Sequence, residues 1–557
     1  MGNRTSFHWR RALAIGVIIL ACAPAFSDNK NNASQSVAIG SLHPRTLTAV
    51  DARVTSKTVR FHVADPLAKV SDAWLDDPSQ AATGAAALSL AGGYQLTNRV
   101  VVRVRDEVVL RKVLNDYPDV VAKPILAKRG FWVVASQSIA EAAALAEDMT
   151  GRAGFEIVEL DIKQPRSLRE TPDDPFFHEQ WHIRNEQDPL YDANAEAAWD
   201  IGYTGAGVVV GILEGAWQHN HMDLAPNFHE EATQLGGVVT QHATNCAGII
   251  GEAAFNGIMG AGVAYGAQIS GQRYGTDSET AEALLYRNDI NDIKSNSWGP
   301  SDVAAIALMP AIVRAALEES VGDGRDGRGE IFVWACGNGA NNDRVEYDPY
   351  ASSRYTIAVG SIGDHDVRSY YSERGASLLI MAPSDGGERY IPTTNSGNAW
   401  TRSFGGTSAS APLVAGVIAL MLEANPELTW RDVQHVLIES ARKCDPDHQS
   451  WRTNGDGCEV SYYYGFGAID AGAATAIAEN WDNVPHEVSA TIDVDVNVEI
   501  PDGDPNGVTV PVEISDNIKI ESIELIPHVL TEYIGDLEIV VTSPSGMNSL
   551  MAKSRYT

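Results

Sequence analysis

The sequence predicts an α/β fold in which a parallel sheet carries helices on both faces, preceded by a small α+β unit and followed by the start of a β-sandwich. Three observations predict it. Between residues 171 and 483, short continuous apolar runs at 208–213, 331–335 and 356–359 alternate with helical stretches at 411–423 and 430–441. Strands that are apolar on both faces and separated by helices pair in parallel and are covered on both sides. Upstream, strand-like runs at 100–104 and 131–134 are followed by an alanine-rich helical stretch at 138–149. Downstream, 488–500 and 508–514 alternate apolar with polar residues between turn signals, the pattern of half-buried strands.

The remaining elements follow in chain order. Residues 1–27 have the form of a signal peptide: Arg4, Arg10 and Arg11, an apolar run at 12–23, then small residues around Ala25 and Ser27. Residues 28–93 read as a flexible lead-in and 94–170 as the α+β unit. That unit ends in a polar, proline-bearing linker whose Arg166 and Arg169 are exposed candidates for processing. The α/β domain spans 171–483 and the incomplete β segment 486–557. A chain of 557 residues accommodates about three domains.

Composition narrows the function. A formal net charge of −32 argues against a nucleic-acid partner, because phosphate binding needs clustered Lys and Arg. No segment after the leader offers about twenty uninterrupted apolar residues, so no membrane span is expected in the mature chain. Export makes disulfides available, and Cys444 and Cys458 flank a polar loop and are expected to pair, while Cys246 and Cys336 lie in apolar segments expected to bury free thiols.

Four segments carry chemistry. Phe404-Gly405-Gly406-Thr407-Ser408-Ala409-Ser410-Ala411-Pro412 runs into an apolar helix and puts a serine where free N–H groups stabilise negative charge. A plain helix cap by Ser408 or Ser410 is the alternative. His242-Ala243-Thr244-Asn245-Cys246-Ala247-Gly248 offers a base. The strand 207–213 ends in the carboxylate Glu214, able to orient a base. Val333-Trp334-Ala335-Cys336-Gly337-Asn338-Gly339 is a strand entering a glycine turn that presents Asn338.

These segments, in the order acid, histidine, serine, resemble the motifs of the subtilisin family of serine proteases. Further marks are similar to its kexin and furin branch, the proprotein convertases: Asp174-Pro175-Phe176-Phe177, Gln180-Trp181-His182, Ser295-Asn296-Ser297-Trp298-Gly299-Pro300, Tyr371-Ser372-Glu373, Leu428-Thr429-Trp430-Arg431-Asp432 and Tyr464-Gly465-Phe466-Gly467. The resemblance implies a subtilisin-like fold, an inhibitory prodomain at 94–170 and a partial P domain at 486–557. It implies Ser408 as nucleophile, His242 as base, Glu214 as the orienting acid and Asn338 as oxyanion donor. Ser297, Trp298, Gly299, Pro300, Asp302 and Asp343 match substrate-binding positions. Asp302 and Asp343 imply a pocket for a basic residue before the scissile bond. Asp302, Asp343 and Glu373 are also expected at one calcium, and Asp174, Asp223 and Asn256 at another.

Two departures stand out. Glu214 replaces the family's aspartate and is one methylene longer, and Ala243 replaces a glycine. The branch's acids for a second basic residue are Gly215 and Val239-Thr240-Gln241 here. The expected function is a secreted or periplasmic, calcium-dependent serine endopeptidase acting on polypeptides after Arg or Lys, with its prodomain as inhibitor. The rival is a pseudoprotease that kept the scaffold for binding. A lipase or esterase is disfavoured because no Gly-x-Ser-x-Gly surrounds Ser408.

Overall fold

Where the backbone must hide its polar groups among apolar side chains, strands and helices are the available solutions. The computed structural model describes residues 95–163 (apart from 119, 127–129 and 151), 171–514 (apart from 505) and 518–555, with short strands β1 (Ile15–Ile18), β2 (Ser36–Ile39), β3 (Arg45–Thr48) and β4 (Leu88–Ser89). Apart from those strands, the expected signal peptide and lead-in lie outside the described residues, as do Arg166 and Arg169. The chain divides into two compact units, 26–170 and 171–557 together with 1–25.

In the first unit, β5 (Gln95–Val104) pairs antiparallel with β7 (Phe131–Ala135) and β8 (Phe155–Lys163), and β6 (Val121–Leu126) pairs with β7. Val100, Val102 and Val104 alternate inward from β5 onto helices α1 (Glu107–Leu114) and α2 (Ile139–Met149), where Leu110, Leu145 and Met149 are buried. Both helices start on side-chain caps, Asp106 to the Val108 amide and Ser138 to the Glu141 amide.

The second unit contains α3 (Ala195–Asp200) and is organised by a six-stranded, all-parallel sheet. Its strands are β9 (Val209–Glu214), β10 (Gln268–Arg273), β11 (Ile293–Asn296), β12 (Ile331–Ala335), β13 (Thr356–Ile362) and β14 (Leu378–Pro383), in the order β10-β9-β11-β12-β13-β14. Between β9 and β10 comes α4 (Gln241–Gly251); α5 (Asp277–Leu285) then carries the chain back across β9 to β11, and α6 (Ala311–Gly327) leads to β12. Strand order therefore reverses between β9 and β11, and beyond the carboxyl ends of such strands open α/β sheets place their ligands.

Period-two alternation divides β12. Ile331, Val333 and Ala335 face α4, α7 (Thr407–Ala424) and α8 (Trp430–Ser440), whereas Phe332 and Trp334 face α5 and α6. Helix α7 is long and apolar enough to cross a membrane, but 83% of that window is buried in the core. The hairpin β15 (Ile391–Asn395) and β16 (Ala399–Phe404) delivers the chain to α7. Within the sheet, Lys294 and Glu330 form an ion pair with neither side chain exposed, at 3.0 Å.

Two expectations are corrected here. Cys444 is a fully buried free thiol, so it does not pair with Cys458. Cys444 packs into the apolar layer with Trp451 and Tyr464, whereas Cys458, in the turn between β17 (Arg452–Thr453) and β18 (Glu459–Val460), packs against the opposite layer. The intervening loop hydrogen-bonds to itself, Asn454 Oδ1 accepting from the Asp456 and Cys458 amides. The alternating runs at 488–500 and 508–514 form no strands. Val488, Ile492, Val494, Val496, Val498 and Ile500 are exposed, and alternation yields a strand only where a partner edge pairs with it. After α9 (Ala471–Ala478), β structure begins at β19 (Ser522–Leu525) and continues in the antiparallel hairpin β20 (Ile539–Thr542) and β21 (Asn548–Ala552).

Candidate active site

Strand β9 ends on Glu214, whose side chain is 8% exposed, and α4 begins at Gln241 with Thr240 capping the Ala243 amide. His242 thus stands in the first helical turn opposite the strand end. Glu214 Oε1 lies 2.6 Å from His242 Nδ1, so the longer acid reaches the imidazole. The Phe404 ring meets the imidazole edge-on at 5.3 Å. Ala243 is fully buried in the core.

Ser408 lies in the first turn of α7. Gly406 caps that helix at φ 75°, a left-handed conformation that suits glycine. Four residues on, Pro412 lacks the N–H that would bond to the Ser408 carbonyl. That carbonyl accepts from Ser297 Oγ at 3.1 Å and from the Cys246 thiol at 3.5 Å instead. Cys246, fully buried one turn beyond His242, also lies 3.8 Å from Glu214 Oε2, 4.0 Å from His242 Nδ1 and 3.7 Å from Ser297 Oγ. The thiol is a hub joining the segments that carry acid, base and serine.

Asn338 follows β12 in an exposed turn. Its Oδ1 accepts from the Thr407 amide at 3.0 Å and from Thr407 Oγ1 at 3.2 Å, which orients the side chain and leaves its NH2 as the outward donor. Ser297, Trp298, Gly299 and Pro300 follow the end of β11. Trp298 Nε1 donates to the Leu213 carbonyl at 2.8 Å, tying this segment to the strand that carries Glu214.

Beyond Trp298 lies a group of acids. Carboxylate oxygens of exposed Asp302 and buried Asp343 and Glu373 lie within 4.8 Å of one another. Burial, and then the neighbouring Asp343 charge, push Glu373 up to about 9. Burial likewise raises Asp343, with Asp302 adding to it. Such a group retains its charges at neutral pH only with a cation among them. Asp348, which the sequence reading missed, belongs beside them. Its carboxyl is raised to about 7 by desolvation and by Asp302 and Asp343, and a Cβ at Gly299 would stand 2.5 Å from its Oδ2. The available signal was a third acid five residues past Asp343.

A second acid group gathers near the end of α4. Asp174 accepts from the Phe255, Asn256 and Gly257 amides, and Asn256 Nδ2 donates to Asp223 Oδ1. Asp223 is fully buried, its Oδ2 has no hydrogen-bond partner, and burial pushes its carboxyl up to about 6. An orphaned buried carboxylate oxygen among acids fits a hard cation with oxygen ligands.

The subtilase family model, Peptidase S8, matches residues 205–467. Over 428 residues the chain is 36% identical to furin of Homo sapiens, covering 70% of this chain and 52% of furin. Over 447 residues it is 33% identical to neuroendocrine convertase 2 of Rattus norvegicus, covering 73% of this chain and 68% of that protein. The chain thus spans about half the length of the furins it matches. The crystal structure of a serine protease of Aeromonas sobria aligns with a TM-score of 0.59 over 69% of this chain and 81% of that one, at 22% identity, a likeness of fold. The ordered motifs, the parallel sheet and these relatives agree, and the chain belongs to the subtilase family of serine proteases, in its kexin- and furin-like branch.

Proposed function

We propose that this protein is a secreted, calcium-dependent endopeptidase that cleaves polypeptides after Arg or Lys through an acyl-enzyme. The observation that carries the reading is the 2.6 Å contact between Glu214 and His242 beside the helix start bearing Ser408. Ser408 Oγ attacks the peptide carbonyl while His242 takes its proton, and the same imidazole returns a proton to the leaving amine. Glu214 fixes the ring and stabilises its protonated form. The Asn338 NH2 donates to the developing oxyanion, an interaction worth about 3–4 kcal/mol. The release of the acyl group repeats these steps with water.

Asp302, Asp343 and Asp348 supply negative charge for a basic side chain before the cut. Asp302, Asp343 and Glu373 would hold one calcium, and Asp174, Asp223 and Asn256 another; a bound calcium would offset part of the negative charge at each group, leaving a net negative pocket where Asp348 adds to the first, and would stiffen their loops. Selectivity at the preceding residue is expected to be weak, because Gly215 and Val239-Thr240-Gln241 bring no carboxylate there. The unit at 94–170 is assigned as prodomain and inhibitor, and 486–557 as part of a P domain. The pseudoprotease reading gains nothing from Glu214, which reaches its histidine.

Stoichiometric labelling by a fluorophosphonate, lost in Ser408→Ala, tests the nucleophile. A peptide library tests the pocket: cleavage after Arg and Lys regardless of the preceding residue supports it, and cleavage mainly after apolar residues refutes it.

A further inference from the structure

Glu252, at the end of α4, is a carboxylate that none of these assignments uses. It is fully buried, and acids enter such surroundings only with a compensating partner. Its Oε1 accepts from the Gly260 amide at 3.1 Å and its Oε2 from Gln180 Nε2 at 3.3 Å. Both donors are neutral. Gln180, also fully buried, is locked by two bonds to Ala261, its Oε1 accepting from the amide at 2.8 Å and its Nε2 donating to the carbonyl at 2.9 Å.

The amide of Ala253, next in the chain, donates to the Asp223 carbonyl at 2.9 Å, and Asn256 bonds to Asp174 through its amide and to Asp223 through its side chain, so one loop gathers the three acids. Asp174 is 4% exposed and Asp223 and Glu252 not at all. Among the described residues no Lys, Arg or His forms an ion pair with any of the three. Uncompensated carboxylates gathered in a dry site repel strongly, and Asp223 keeps an oxygen without a partner.

We propose that Glu252 is a ligand of the cation assigned to Asp174, Asp223 and Asn256, giving that site a third carboxylate. The inference rests on the calcium reading of the site. Its competitor is a neutral Glu252 whose acid proton is donated to Asp223, with no cation needed. Glutamine is nearly isosteric with that neutral acid and can donate in the same way, but removes the charge and one ligand oxygen.

The test uses the full chain carrying Ser408→Ala to prevent autolysis, stripped with a chelator and titrated with calcium by calorimetry, with calcium-dependent melting measured in parallel. Glu252→Gln is expected to weaken one binding event at least tenfold and shrink the calcium-induced rise in Tm, while the event abolished by Glu373→Gln persists. Glu252→Asp, which keeps the charge and shortens the reach, is expected to weaken the same event and provides the readout if Glu252→Gln does not fold. Unchanged affinity in the variants, with loss in Asp223→Asn, overturns the role of Glu252 and leaves the site standing. No calcium binding by the parent chain overturns both.

Discussion

Glu214 Oε1 stands 2.6 Å from His242 Nδ1 while its other oxygen faces the Cys246 sulfur at 3.8 Å. The carboxylate is thereby aimed by two neighbours, and the end of β9 is positioned for a side chain of this length. Glu214→Asp, although it restores the residue usual in the family, is expected to withdraw the carboxylate by about 1 Å. Misplacement on that scale costs up to about a hundredfold in rate. Steady-state kinetics on a basic peptide should give kcat reduced by about ten- to a hundredfold with KM little changed. Activity equal to or above that of the parent would show that the strand end adjusts freely.

The same contact sets the pH dependence. Burial alone would depress the His242 imidazole, but contacts with Cys246 and Glu214 outweigh it and raise the pKa. Burial and the Glu214 charge raise the Cys246 thiol as well, and Glu214, at 2.6 Å, is the nearer of the two partners of the ring. In the proposed mechanism only the neutral imidazole can accept the Ser408 proton. The rising limb of kcat/KM should therefore lie above the ordinary histidine value of about 6.5. Glu214→Gln removes the charge and keeps the desolvation, so the limb should move to lower pH as kcat falls. A limb that does not move would mean that Glu214 does not set this pKa.

How much of this was legible depended on whether a function is written locally. Ser408, His242 and Asn338 each sit in a short recognisable segment at the start of a helix or just past a strand, so spacing and residue type single them out as candidates. Asp348 and Glu252 lie against residues distant in sequence, Gly299 and Gln180, and only folding brings these together. Cys444 and Cys458 looked paired because a polar loop joins them, but which apolar layer each residue enters is a tertiary matter. The runs at 488–500 and 508–514 have strand periodicity without a partner edge, and periodicity reports a face, not its cover.

The Lys294–Glu330 pair offers a stability test away from the chemistry. Neither side chain is exposed; burial lowers the Lys294 pKa and raises that of Glu330 to about 7. Ser320 Oγ also donates to Glu330 Oε2 at 2.6 Å, and Lys294 Nζ donates to the Leu284 carbonyl at 2.5 Å. Removal of one partner leaves an uncompensated buried charge, at a cost of about 3–5 kcal/mol. Lys294→Met should lower Tm markedly in calorimetry, and the double variant Lys294→Met with Glu330→Leu should recover part of the loss. If the double variant is as unstable as the single one, packing rather than charge governs this position.

The hairpin of β20 and β21 meets the loop carrying Asp343 and Asp348, the acids proposed to line the pocket. Tyr347 Oη accepts from the Lys553 amide at 3.0 Å and donates to the Lys553 carbonyl at 3.1 Å, while Met551 and Ala552 are buried against its ring. Tyr347 immediately precedes Asp348 and comes four residues after Asp343, so β21 and the Lys553 that follows it anchor the span between the two carboxylates. Tyr347→Phe keeps the packing and loses the hydrogen bonds, at a cost of about 1 kcal/mol. Tyr347→Ala opens a cavity costing about 3–5 kcal/mol and frees the span. In that variant KM should rise for substrates with Arg before the cut, with kcat less affected, and selectivity for Arg over Leu should fall. A lowered Tm with unchanged selectivity would show that the hairpin stabilises the domain without positioning its acids.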